Sequence, residues 1–83
     1  MEHEQVLERV IGFLSALPRS QGKTITGATP LSDNVLVDSL TMLQMILFLE
    51  EEFGLSLDRS DLDHIETPAS VADLVVGKNA AQG

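Results

Sequence analysis

The stretch "DSLTMLQMILFLEEEFG", residues 38–54, decides how this chain is read. Asp38 and Ser39 are residue types that cap a helix N-terminus, the run from Leu40 to Phe53 is rich in helix formers, and Gly54 is placed to end it. The spacing turns Met42, Met45, Ile46, Leu49 and Phe53 toward a core, which leaves Thr41, Gln44, Phe48 and Glu51 on the opposite side, flanked by Leu40 and Leu47. Leucine and phenylalanine are therefore left over outside. A helix apolar nearly all round is either fully buried or presents apolar residues to something that docks. Either Leu40, Leu43 and Leu47 pack under a neighbouring loop, or they form the centre of a docking surface rimmed by Glu50, Glu51 and Glu52.

On the N-terminal side, Val6, Leu7, Val10, Ile11, Phe13, Leu14 and Leu17 recur at three- and four-residue spacing and predict an amphipathic helix from Glu4 to Leu17, stopped by Pro18. Arg19 to Val37 has the Gly, Pro, Ser and Thr content of a loop, long enough to be functional or to pack as an ordered arm. "KTITG" within it has no strand partner. On the C-terminal side, "LSLDRSDLDHIE" reads as a loop and a short helix around Ser60 to Ile65. In "TPASVADLVVGK", Thr67 with Pro68, or Ser70 with Asp73, starts a last helix burying Val71, Leu74 and Val75. The expected fold is all-α: a small bundle of three long helices and a short one, with a long loop between the first two. It forms one domain over residues 1–77, and "GKNAAQG" frays as a flexible tail over residues 78–83.

Composition limits what such a bundle does. The chain has 83 residues, enough for one small core and too few for the usual enzyme with an enclosed site. Its formal net charge is −8, which excludes a phosphate backbone as the natural partner. Of 13 acidic residues, 10 lie between Asp33 and Asp73, where Arg59 is the only base, so that half carries a negative potential able to steer electropositive surfaces. With no cysteine there is no disulfide and no thiolate metal site. The acidic start "MEHEQVLERV" is unlike a signal peptide, and no segment is apolar enough to span a bilayer. The expectation is a cytoplasmic monomer.

Little in the chain is reactive. His3 and His64 lack ligand-like spacing to carboxylates and read as solvated side chains, and "DRSDLDHIE" fits no calcium loop. Asp38, Ser39 and His64 make a hydrolase triad only on paper, because no glycine-flanked nucleophile elbow surrounds the serine. Ser39 remains. As a cap it stabilises the helix. As an exposed hydroxyl at a helix N-terminus it also sits where free N–H groups and the helix dipole favour a phosphodiester, and Asp38 beside it can help hold a divalent cation during phosphoryl transfer.

"VDSL" leading into an apolar helix that ends "FLEEEFG", together with the long preceding loop and the short acidic helix that follows, resembles the acyl and peptidyl carrier proteins over Gln5 to Val76. The resemblance implies an acyl-carrier-like bundle without catalysis of its own. Ser39 would bear 4′-phosphopantetheine, delivered from coenzyme A by a magnesium-dependent phosphopantetheinyl transferase with Asp38 alongside, and the arm's thiol would carry acyl or aminoacyl groups as thioesters. It also implies partner contacts at Leu40, Leu47, Glu50 and Glu51, and an apolar position beside the arm at Ile65. The partners implied are the transferase, an adenylating or acyl-loading enzyme, and downstream synthases or transferases. Leu36 stands where many carriers have glycine, and Thr41 and Gln44 stand where fatty-acid carriers have acids. With "TPASV", these features look more like discrete D-alanyl or aminoacyl carriers of cell-wall or natural-product chemistry than the carrier of fatty-acid synthesis. The rival from another class is an unmodified acidic module whose second helix binds a basic amphipathic partner.

Overall fold

The computed structural model describes residues 2–31 and 39–82. Helix α1 spans His3–Ser15, α2 spans Ser39–Phe53 and α3 spans Pro68–Gln82, with a short 3₁₀ helix over Arg59–His64 and a single 3₁₀ turn over Pro18–Ser20. The described residues are helical with no strand, in the expected plan of three long helices and a short one.

α1 stops before its apolar stripe does. Leu17 precedes Pro18 and is pushed to extended backbone, φ −71° and ψ 144°, so the helix closes at Ser15 while Leu17 still packs against the core. The buried Ser20 hydroxyl then donates to the Leu14 carbonyl at 2.5 Å, a second bond to an acceptor that also takes the Leu17 N–H at 3.2 Å, which fastens the turn to the end of the helix. The described part of the loop that follows, as far as Leu31, packs onto the bundle. Ile25 and Leu31 are buried, Ala69 N–H donates to the Gly27 carbonyl at 2.9 Å, and Leu31 N–H donates to the Glu66 carbonyl at 2.9 Å. Those two bonds tie the arm to the start of α3.

The core collects Val6, Val10 and Leu14 from α1, Met45, Leu49 and Phe53 from α2, and Val71, Ala72 and Val75 from α3, closed by Ile25, Leu31, Leu55 and Ile65. α2 is rolled relative to the face its spacing predicts. Thr41 is buried, Met42 and Ile46 are only partly buried, and Phe48 turns inward rather than outward. The cause is aromatic: Phe48 stacks on Phe13 of α1 with centroids 4.3 Å apart, and meets Phe53 edge-on at 6.0 Å. Gly54 ends α2 at φ +64°, the left-handed conformation expected of a glycine in that place.

α3 begins at Pro68 through a reciprocal cap. Thr67 Oγ1 accepts from Ser70 N–H at 3.1 Å, and Ser70 Oγ accepts from Thr67 N–H at 2.9 Å. The helix then runs on to Gln82, so the boundary drawn at residue 77 falls inside it. Lys78, on the expected tail, reaches Asp61 of the short helix at 2.6 Å, with side chains only 20% and 11% exposed. Asp61 is itself a cap: Asp58 and Asp61 form a capping box, with Asp58 N–H donating to Asp61 Oδ2 at 2.8 Å and Asp61 N–H to Asp58 Oδ1 at 3.1 Å.

Candidate site at the N-terminus of α2

Ser39 is the first residue of α2, and Asp38, with Leu36 and Val37, lies outside the described residues. A helix of 15 residues starting at Ser39 leaves its first N–H groups without intrahelical partners and its positive dipole end at this point. No acidic residue occupies the first turn to take up that potential. Leu40, immediately after Ser39, is 65% exposed, so this end of the helix opens to solvent. Leu43 and Leu47 are 51% and 48% exposed and continue a stripe along α2. They do not pack under the loop.

The acidic residues that follow differ from one another. Glu50 is half-buried, its Oε2 accepting from Leu57 N–H at 3.0 Å, and Glu52 pairs with Arg9 of α1. Glu51 is exposed and has no hydrogen-bond or ion-pair partner among the described residues. Ile65 requires correction. At 5% exposure it belongs to the core, because the residues flanking it anchor to α3 and turn its side chain inward, so it offers a partner no surface.

Of the paper triad, Asp38 and the side chain of Ser39 lie outside what the structure describes, and only His64 can be placed. The His64 carbonyl accepts from Ser70 Oγ at 2.8 Å, and the His64 side chain lines an open groove of about 570 Å³ with Ser70, Asp73, Leu74, Gly77 and Lys78. His3 is not simply solvated: its Nε2 lies 2.7 Å from Asp73 Oδ1, linking α1 to α3. Among the described residues no three His, Asp or Glu side chains converge as metal ligands, and no helix is long and apolar enough to cross a membrane. Asp58 and Lys78 are the electrostatically tuned pair. Hydrogen bonds from Ser60 Oγ, at 2.7 Å, and from Asp61 N–H hold the Asp58 carboxyl below its ordinary range. The hydrogen bond to Asp61 holds the Lys78 ammonium above its own. This clasp went unread in the sequence, although "DRSD" has the spacing of a capping box.

A family model for the phosphopantetheine attachment site matches residues 5–75. The chain is 28% identical over 76 residues to an acyl carrier protein of Saccharopolyspora erythraea, covering 92% of this chain and 80% of that protein. It is 32% identical over 69 residues to a mitochondrial acyl carrier protein of Dictyostelium discoideum, covering 83% of this chain and 57% of the relative. With an acyl carrier protein of Thermosynechococcus vestitus it shares 25% identity over 81 residues, 98% of this chain and 100% of that one.

Proposed function

The chain belongs to the phosphopantetheine-attachment family of acyl and peptidyl carriers, and from that premise we propose that Ser39 is the attachment point and that the protein is a discrete, non-catalytic carrier. Its prosthetic group is 4′-phosphopantetheine, held covalently. When attached, the group supplies a thiol on a long arm, on which an acyl or aminoacyl group travels as a thioester.

One observation carries the assignment to Ser39. It is the first residue of a 15-residue helix, inside the matched span, at an end whose next residue is 65% exposed. The residues present fit a phosphodiester there. The N-terminal end of the helix dipole favours the negative charge, and the first turn of α2 holds no acidic residue. The rest of the chain holds α2 in place: Phe48 seats it on Phe13 of α1, and the Arg9–Glu52 pair braces its far end. The domain contributes tethering, which raises the effective concentration of cargo at a docked enzyme.

Within the family we favour a specialised carrier of natural-product or cell-wall chemistry, served by a phosphopantetheinyl transferase, a stand-alone loading enzyme and downstream synthases or transferases. Support comes from the exposed face of α2, where Leu40, Leu43, Gln44 and Leu47 precede the first acid at Glu50. The similar proteins are named acyl carriers, which favours an acyl over an aminoacyl cargo and keeps fatty-acid synthesis as the second reading.

The test is the intact mass after incubation with coenzyme A, magnesium and a broad-specificity phosphopantetheinyl transferase. The parent should gain one phosphopantetheine, and Ser39→Ala none while staying folded, since alanine is well tolerated at the first position of a helix. A folded parent that gains nothing, or a variant that is still modified, refutes the assignment.

A further inference from the structure

We infer that the short helix over Arg59–His64 is a flap: it is hinged at its C-terminal end, where the chain enters α3, latched at its N-terminal end by Lys78, and swings off the bundle as a unit when the charge on Lys78 is lost. The inference stands apart from the carrier reading, since it needs nothing attached to Ser39.

The hinge is well fastened. Ile65, the residue after the short helix, sits in the core at 5% exposure. Beyond it, Glu66 N–H and Thr67 N–H donate to Ser70 Oγ at 3.1 and 2.9 Å, and the Glu66 carbonyl accepts from Leu31 N–H at 2.9 Å. These contacts are made by α3 and the preceding loop, and none of them involves Asp58 or Asp61.

The other end has less to hold it. Arg59, Ser60, Asp63 and His64 are exposed, and Leu62 packs on the core only in part. Asp61 is the buried residue of the short helix, and its Oδ2 serves two purposes. It accepts from Asp58 N–H at 2.8 Å within the capping box, and from Lys78 Nζ at 2.6 Å across to α3. Asp58 Oδ2 lies 3.8 Å from the same ammonium. Without that cation a buried carboxylate stands beside a second carboxylate with no compensating charge, in a chain whose net charge is −8. A buried charge left unpaired is costly, and moving the flap into water relieves it.

The bundle holds together without the flap. Val6, Val10 and Leu14 of α1 share a core with Val71, Ala72 and Val75 of α3, and Phe48 of α2 stacks on Phe13 of α1. Opening the short helix therefore breaks fewer contacts than unfolding the chain, which is the condition for a local opening. The open groove of about 570 Å³ that His64 lines with Leu74, Gly77 and Lys78 marks the seam along which the flap parts from α3.

The experiment is hydrogen exchange resolved by NMR on the whole, unmodified protein, comparing the parent with Lys78→Met and Lys78→Arg. In Lys78→Met the Asp58 and Asp61 amides, which are hydrogen-bonded within the capping box, should exchange roughly tenfold faster than in the parent. Thr67 and Ala69 at the hinge, and Val10 and Leu14 in α1, should keep their parental rates. Lys78→Arg, which keeps the charge, should restore the parental rates throughout. Equal exchange at Asp58 and Asp61 in the parent and Lys78→Met would mean that Lys78 latches nothing. Acceleration of Thr67 or Val10 by the same factor as Asp61 would mean that no hinged unit exists, and fast exchange at Asp61 in Lys78→Arg would mean that charge is not the latch. Any of these three results overturns the inference.

Discussion

Phe48 is where the structure departs most from the helical pattern of its own sequence, and Phe48→Ala tests whether α2 is seated as described. Spacing places Phe48 outside, where truncation would change stability by no more than about 0.5 kcal/mol. In the structure its ring lies against Phe13 at 4.3 Å and 14° and meets Phe53 at 6.0 Å and 82°. A fully buried Phe→Ala costs about 3–5 kcal/mol, and partial exposure reduces this to about 2–3 kcal/mol. In a domain of this size each kcal/mol moves Tm by about 4–8 °C, so a fall of roughly 10–20 °C is expected. Urea unfolding of the parent, Phe48→Ala, Phe13→Ala and the double variant, followed by circular dichroism, closes a cycle whose coupling should be about 0.5–1.5 kcal/mol for the stacked pair. A single-variant loss below 0.5 kcal/mol with no coupling would put Phe48 in solvent. It would also return α2 to the orientation that spacing alone predicts.

The remaining predictions concern the clasp and the end of α2. Because Asp58 is acidified in the folded protein, its contribution is present above about pH 3.9, the unfolded value, and is lost as pH falls through the lower folded one. Because Lys78 binds its proton more tightly when folded, its contribution is complete below about pH 10.4 and is lost as pH rises beyond that through the folded value. The Tm difference between parent and Lys78→Met should therefore stay level from about pH 5 to pH 9 and shrink above about pH 10.5; a difference that vanishes near neutrality would contradict the Lys78–Asp61 contact. Gly54→Ala should cost about 1–2 kcal/mol by denaturant titration, purely from the left-handed backbone, since nothing stands within 4 Å of a Cβ placed there. A neutral result would mean that α2 ends in some other conformation.

Much of this architecture is legible in the sequence because local signals carry it. The α1 stripe, the Ser39 start and Gly54 end of α2, and the Thr67–Pro68 start of α3 each follow from neighbouring residues alone. What the sequence withholds depends on contacts between distant segments. The roll of α2 is set by Phe13, 35 residues before Phe48, and the end of α3 is tied down by Asp61, 17 residues before Lys78. Ile65 shows the same limit. Apolar and near the end of a short helix, it suits a surface beside the arm as well as a core, and only the closing of that helix onto α3 decides between them.

The three glutamates at the end of α2 show what this means for function. By composition they are equivalent, and together they invite a basic partner. The fold makes them unequal: one caps the loop after Gly54, one braces α1, and one faces solvent. Two of the three are thus taken up by contacts within the fold. Replacing Glu50 or Glu52 perturbs the seat of α2 before it perturbs any interface, so a loss of partner binding in those variants would not identify an electrostatic contact. Glu51 is the one of the three whose substitution leaves the seat of α2 untouched.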